Sequence, residues 1–158
     1  RRLPAEKFVE LATPWIDSVV KSSIDKAILC GCLQPRCEVL SDIPEQLDFI
    51  DEMPEYDVEL YRNKKQKTTP ESAAEALGVL LPLLEGVENW NRDAIFEACR
   101  AKAEELGVKN GWMLYPLGVA LSGKQRTPGG GTEMAAYLGK EKTLARVKAA
   151  AEKLAGAQ

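Results

Sequence analysis

The chain contains no histidine. That absence removes Ser–His and Cys–His nucleophilic catalysis, imidazole metal ligation and histidine-dependent nucleotidyl transfer from the chemistry open to it. No run approaches the roughly 18 consecutive apolar residues that would cross a bilayer as a helix. No stretch of useful length alternates apolar and polar residues as a half-buried strand would. Internal repeats and low-complexity tracts are missing as well. The four cysteines include Cys30, Cys32 and Cys37 in C-x-C-x4-C spacing, which does not match the paired spacing of zinc sites, so they are expected as thiols packed on helices. Aromatic residues make up only 6% of the chain. Trp15, Trp90, Trp112, Tyr115 and Tyr137 fall at apolar helix positions and are expected in the core, stacking on an unpaired base being the other use of an exposed ring. Adjacent carboxylates such as Asp51–Glu52 and Glu104–Glu105 do not face one another on a helix, so they make no acid–base pair.

What is present is the composition of a soluble globular protein: 158 residues, 45% hydrophobic and 28% charged, long enough for one domain or two small helical subdomains. Net charge is −3, but it is unevenly spread. Nine acidic residues and no basic one lie between Glu38 and Glu59, and Arg62, Lys64, Lys65 and Lys67 follow directly. From Lys109 onward there are eight Lys/Arg against three Glu. A basic C-terminal third could touch phosphate while the acidic part repels it, or could be a solvated helical surface. The start, RRLPAEKFVELA, has neither an initiator Met nor an apolar signal core, which suggests a piece of a longer, cytoplasmic protein.

Helical signals dominate. Phe8, Leu11 and Trp15 share a face after Pro4, and Pro14 is expected to break or kink that helix near Ala12 or Thr13. Ser22, Ser23 and Asp25 suggest a start for a helix through Ile28 and Leu33, disturbed at Pro35. Ser41 and Asp42 are expected to cap a short helix carrying Ile43, Leu47 and Ile50. Thr69-Pro70-Glu71 starts a longer helix through Leu84, with a kink expected at Pro82. Asn89 or Asn91 caps the next, which stops at Gly107. Further helices are predicted over 112–121, from Thr132 to Leu138, and through Leu144 to Leu154. The expected fold is all-α, a compact multi-helix bundle in two small subdomains, 1–66 and 67–158.

The most informative stretch is 116–139, PLGVALSGKQRTPGGGTEMAAYLG: helix, glycine stop, polar loop, glycine turn, helix. Gly129, Gly130 and Gly131 allow close backbone approach and positive φ. The helix after them points free N–H groups forward, beside Lys124 and Arg126. Such an opening could hold a phosphate or a base edge, or could be a plain helix connection. It is not a Walker loop, since Gln125 follows Gly123-Lys124.

The continuous run PLGVALSGKQRTPGGGTEMAAYLGKEKTLARV resembles the C-terminal signature of bacterial glutamyl-tRNA synthetases, whose pattern is roughly PLRVALSG, a short insert, TPGG, then E, a hydrophobic helix and LGKEETLRRI. LQPRCEVLSDIPEQLDFIDE, NKKQKT and the Trp90–Lys109 stretch resemble the same family, so the likeness spans nearly the whole chain. The resemblance implies an all-helical anticodon-binding region of a ligase that carries no catalytic site of its own and no cofactor. The ATP- and Mg-dependent glutamylation would belong to an N-terminal catalytic domain with HIGH-like and KMSKS-like motifs, which this chain lacks. It implies a tRNA partner, glutamate tRNA alone or glutamate and glutamine tRNA, with no DNA and no membrane. Carried over by position, Arg36 and the turn of Thr127, Pro128 and Gly130 would contact the anticodon. Lys64, Lys65, Lys67, Lys124 and Arg126 would contact phosphate. Where the pattern has arginine, this chain has Gly118. A non-catalytic helical scaffold for protein–protein interaction is the competing reading.

Overall fold

The computed structural model describes residues 4–124 and 127–157. Among them are eight α-helices: α1 (Ala5–Asp17), α2 (Lys26–Leu33), α3 (Ile43–Gln46), α4 (Pro70–Glu85), α5 (Arg92–Leu106), α6 (Asn110–Ser122), α7 (Gly131–Leu138) and α8 (Lys140–Ala157). Short 3-10 segments cover Gln34–Arg36, Leu40–Asp42 and Val58–Tyr61. The only pairing of extended backbone among the described residues is one antiparallel bridge, Asn63 to Thr68. The all-α bundle expected from the sequence is what forms.

α6 is buried on several sides, with Met113, Pro116, Leu117, Val119, Ala120 and Leu121 all inside. A helix that is apolar nearly all round belongs at the centre, and α4, α5, α7 and α8 pack around it. α4 also lies along α8. One continuous hydrophobic cluster runs from Phe8 on α1 to Leu154 on α8.

Local chemistry explains most boundaries. The Thr69 hydroxyl accepts the Ser72 N–H at 3.0 Å and the Ser72 hydroxyl accepts the Thr69 N–H at 2.9 Å, so two orphan donors of α4 are satisfied reciprocally. Asn91 caps α5 through the Ala94 N–H at 2.8 Å, and Gly107 ends it in left-handed backbone.

The differences from the sequence reading have physical causes. α1 runs through Pro14 to Asp17. Its buried face of Phe8, Ala12 and Ile16 spans the proline, and the Thr13 hydroxyl donates to the Val9 carbonyl at 2.6 Å. α4, by contrast, continues through Pro82 to Glu85, in line with the helix expected through Leu84. α2 starts at Lys26, capped by Asp25. Ser22 is unavailable as a cap because Asp51 takes its N–H and its hydroxyl. α3 is only four residues long, since the Asp42 carboxylate turns back to the Glu38 and Val39 amides, but Leu47 and Ile50 are still buried beyond it. Trp15 is 38% exposed, outside the core.

The reciprocal cap on α4 gives a direct test. Thr69→Ala should lower stability by about 1 kcal/mol, read as a shift in urea midpoint at unchanged slope. An unchanged midpoint would mean that the cap contributes nothing.

Candidate nucleic-acid interface

The glycine turn is held by a small set of polar contacts. The Thr127 hydroxyl donates to the Gly129 carbonyl at 2.7 Å. The buried Tyr137 hydroxyl donates to the Pro128 carbonyl at 2.8 Å. The Gly130 N–H donates to the Glu133 carboxylate at 3.0 Å. Of the three glycines only Gly129 has positive φ, at 86°. A Cβ there would lie 2.7 Å from the Cys32 sulfur, so α2 seats directly on the turn. Gly131 is needed for a different reason: a Cβ would come within 3.0 Å of the Leu114 carbonyl and 3.2 Å of the Gly118 nitrogen, so the first turn of α7 lies against the backbone of α6. Gly130 faces open space.

In front of this crossing lies a cavity of about 350 Å³. Phe96, Leu114, Val119 and Met134 supply apolar wall, and Tyr115 adds a ring whose hydroxyl donates to the Leu60 carbonyl at 2.7 Å. Arg92 and Lys124 are the charged groups of the lining, and Arg92 is paired with Asp93 at 3.2 Å and lies 3.9 Å from the Glu133 carboxylate. Thr132 is 6% exposed, and its hydroxyl finds no hydrogen-bond partner among the described residues. It opens into the cavity beside the Gly131 and Thr132 N–H groups, which precede the first intrahelical bond of α7. Gly118 is part of the wall, and a Cβ added to it would make only ordinary contacts, 3.6 Å to the Met134 methyl and 4.0 Å to the Gly131 nitrogen.

The residues singled out from sequence fall in three places. Thr127 and Gly130 line the cavity, and Pro128 is buried beneath the turn. Lys124 lines it too, but its ammonium is paired with Asp48 and lies 6.0 Å from the centre of the Phe49 ring, so it is already engaged. Lys64, Lys65 and Lys67 are exposed on the turn closed by the Asn63–Thr68 bridge. Gln66 of that turn lies over Gly111 and lines the same cavity, while the three lysines are not among its lining residues. Arg126 lies outside the described residues.

Arg36 does not line the cavity. It is exposed, one helical turn beyond Cys32, with its Nε donating to the Gln46 side chain at 3.2 Å. No carboxylate lies within ion-pair distance of it among the described residues. It is still electrically close to the turn. Burial pushes the Tyr137 phenol up, with Cys32 and Glu133 adding to the effect, while Arg36 and Arg146 oppose it. Burial, and next Glu133, pushes the Cys32 thiol up to about 11, with Arg92 opposing. That leaves Cys32 a neutral packing group at neutral pH.

Arg92, Thr132 and Gln66 were not visible as site residues in the sequence. Arg92 reads there as the first residue of a capped helix, Thr132 as a helix start, and Gln66 as one polar residue among lysines. Only the crossing of α6 and α7 brings them together.

A comparison with known families now bears on this geometry. The family profile described as "Anticodon binding domain" matches residues 7–151. The glutamate–tRNA ligase of Clostridium tetani is 46% identical over 154 residues, covering 98% of this chain and 32% of that protein. That of Clostridium botulinum strain Eklund 17B is 44% identical over 156 residues, with 98% and 32% covered. This chain therefore spans about a third of the length of these relatives. A crystal structure of a glutamate tRNA ligase from Elizabethkingia meningosepticum superposes with a TM-score of 0.78 at 24% identity, covering 96% of this chain and 30% of that one, which shows the shared fold.

The first two positions of the glycine triplet should respond differently. Gly129→Ala should lose at least about 1–2 kcal/mol from left-handed backbone alone, while Gly130→Ala should stay within about 0.5 kcal/mol. Urea denaturation distinguishes them, and equal losses would mean that the turn is not built as described.

Proposed function

The chain belongs to the anticodon-binding domain family, and from that membership we propose that it recognises a tRNA anticodon as the C-terminal part of a glutamate–tRNA ligase. The ATP- and Mg-dependent joining of glutamate to tRNA is then carried out by a catalytic domain outside this chain, in the cytoplasm. The tRNA is a glutamate isoacceptor, with glutamine tRNA as a further substrate if discrimination is loose.

The observation that carries this reading is the cavity at the α6–α7 crossing. Its apolar and aromatic walls suit the faces of an unstacked base, and single-stranded bases are what RNA-reading proteins engage through such edges and faces. Its polar end has N–H groups and the unpartnered Thr132 hydroxyl for a base edge. The two cations of the lining, Arg92 and Lys124, suit a polyanion that takes the place of their present partners Asp93, Glu133 and Asp48. We assign Thr127, Pro128 and Gly130 to the wall of this base site. Arg36, exposed and free of any described carboxylate, is assigned to a neighbouring base or phosphate on the α2 side of the turn, where its planar fork is suited to both. Lys64, Lys65 and Lys67 are assigned to phosphates, where they add affinity without sequence preference. Lys124 is a weaker candidate, because Asp48 must release it first. Arg126 keeps a phosphate role on sequence grounds alone.

Gly118 bears on stringency. It leaves the cavity wall open where the family pattern carries arginine, so this chain reads its base with backbone, Thr132 and Arg92 in place of a guanidinium at that position.

Fluorescence anisotropy with a labelled glutamate-tRNA anticodon stem-loop, a scrambled-anticodon control and a salt series tests the assignment. The cognate loop should bind more tightly. Arg36→Ala should weaken it by about tenfold, corresponding to the loss of roughly 1–3 kcal/mol for one good base contact. Replacing Lys64, Lys65 and Lys67 together by alanine should weaken both loops alike and reduce the magnitude of the salt slope by roughly 2. Equal binding of both loops by the unaltered chain would leave only a phosphate-binding surface and defeat the proposal.

A further inference from the structure

A second cavity, of about 160 Å³, opens where α8 meets the segment 53–56. It shares no lining residue with the first. Arg146, Ala149, Ala150 and Lys153 of α8 form one side at helical i, i+3, i+4 and i+7 spacing, with Pro54 and Tyr56 opposite. We propose that this cavity is a binding site for a single phosphate group.

Arg146 is the reason. It is only 8% exposed, and its two terminal amino groups donate to the carbonyls of Leu121 and Ile50, each at 2.7 Å. Carbonyl dipoles hold the guanidinium, but they do not neutralise it. No carboxylate lies within ion-pair distance of it among the described residues. Asp51 acts on it through space, but that carboxylate is committed to the Lys21 and Ser22 amides and the Ser22 hydroxyl. Lys142, on the same helix, also donates to the Ile50 carbonyl at 2.9 Å and adds a second positive charge nearby. The Nε–H of Arg146 has no acceptor among the described residues. Since no fully enclosed side-chain nitrogen there lacks a partner, that N–H keeps some accessible surface, and Arg146 lines the cavity.

Lys153 supplies the other donor. Its ammonium lies 4.8 Å from the centre of the Tyr56 ring and has no carboxylate partner among the described residues. The ring itself is fixed by a 2.8 Å hydrogen bond between the Tyr56 and Tyr61 hydroxyls. Glu55 is the one acid in the lining, exposed and beyond ion-pair distance of both cations. The lining residues of α8 between the two cations are Ala149 and Ala150, which carry only methyl groups. A buried cation without a counter-ion is unfavourable, and an anion that reaches it restores the balance. The guanidinium is already locked by its two carbonyls, so binding costs it little further side-chain entropy. The volume is below that of sites for whole small-molecule ligands, roughly 300 Å³ and more, which limits the occupant to one phosphate group. The group can come from an RNA backbone or from free phosphate.

The test is a titration of the 158-residue chain with inorganic phosphate against sodium chloride of matched ionic strength, following backbone amide shifts by NMR. Arg146 is left intact, because it ties α6, Ile50 and α8 together. Lys153→Ala removes one donor, and Ala149→Glu sets a carboxylate at the exposed edge of the cavity. Saturable shifts at Ala149, Ala150 and Lys153 are expected with phosphate only. Lys153→Ala should weaken them about tenfold, as for loss of one charge-assisted contact, and Ala149→Glu should abolish them, both variants keeping the parent unfolding midpoint. Shifts equal in chloride, unchanged in the variants, or confined to residues 64–67 would overturn the proposal. Competition with stem-loop RNA then identifies the source: displacement of phosphate by cognate and scrambled loops alike assigns an RNA backbone group, and retention of phosphate assigns the free anion. The site does not depend on the anticodon assignment, because it is read with inorganic phosphate alone, whereas that assignment is read from the difference between cognate and scrambled loops.

Discussion

The contact on which the rest of this molecule depends is the backbone-to-backbone approach of α7 to α6 at Gly131. A helix packed through ordinary side chains stands roughly 8–10 Å from its neighbour. Here a single added carbon would meet the Leu114 carbonyl and the Gly118 nitrogen. That closeness fixes where α7 begins, and so where its free N–H groups point. It also leaves the Thr132 hydroxyl inside the cavity and makes Gly118 part of the wall. The glycine turn before α7 is then pinned from behind by Cys32 of α2 and from below by the Tyr137 hydroxyl. Rigid elements thus hold a surface that has no regular structure of its own, the usual basis for a precise binding loop.

Much of the fold was legible because helix signals are local. Thr69-Pro70, Asn91 and Gly107 carry cap chemistry within three or four residues, and each marks a real boundary. The misread places share one cause, a distant partner overriding a local signal. Pro14 does not stop α1 because the face that carries Phe8, Ala12 and Ile16 is buried on both sides of it. Ser22 does not cap α2 because Asp51, 29 residues away, has claimed it. Trp15 reads as core by periodicity and faces outward, since a periodic pattern gives a face and not its neighbour.

The candidate site was legible in a different way. The 127–131 turn was visible because glycine clusters signal unusual backbone, although only Gly129 needs positive φ and Gly131 serves close packing instead. The lysine-rich turn was visible as charge, but its place beside the cavity rests on Gln66 lying over Gly111, a contact across 45 residues that no local pattern encodes. Arg92 and Thr132 were invisible because their side chains belong to helices whose sequence role is already accounted for. Arg36 kept its exposure but stands outside the cavity, so what the sequence suggested as one site is a surface with two sides, joined through Cys32.

The bridge between Asn63 and Thr68 closes the lysine turn with backbone and with the Asn63 and Thr68 side chains. None of its lysine side chains contributes to that closure. Lys67 nevertheless has φ of 59°, the only positive value among the described non-glycine residues. Left-handed backbone disfavours a side chain by roughly 1–2 kcal/mol, and glycine would relieve it. The turn therefore separates two properties that are usually entangled: its shape is inherited from fixed neighbours, and its charge can drift by substitution without disturbing the bundle. At Lys67 the two properties meet in one residue, since its side chain carries charge while its backbone holds a conformation that glycine would adopt at lower cost.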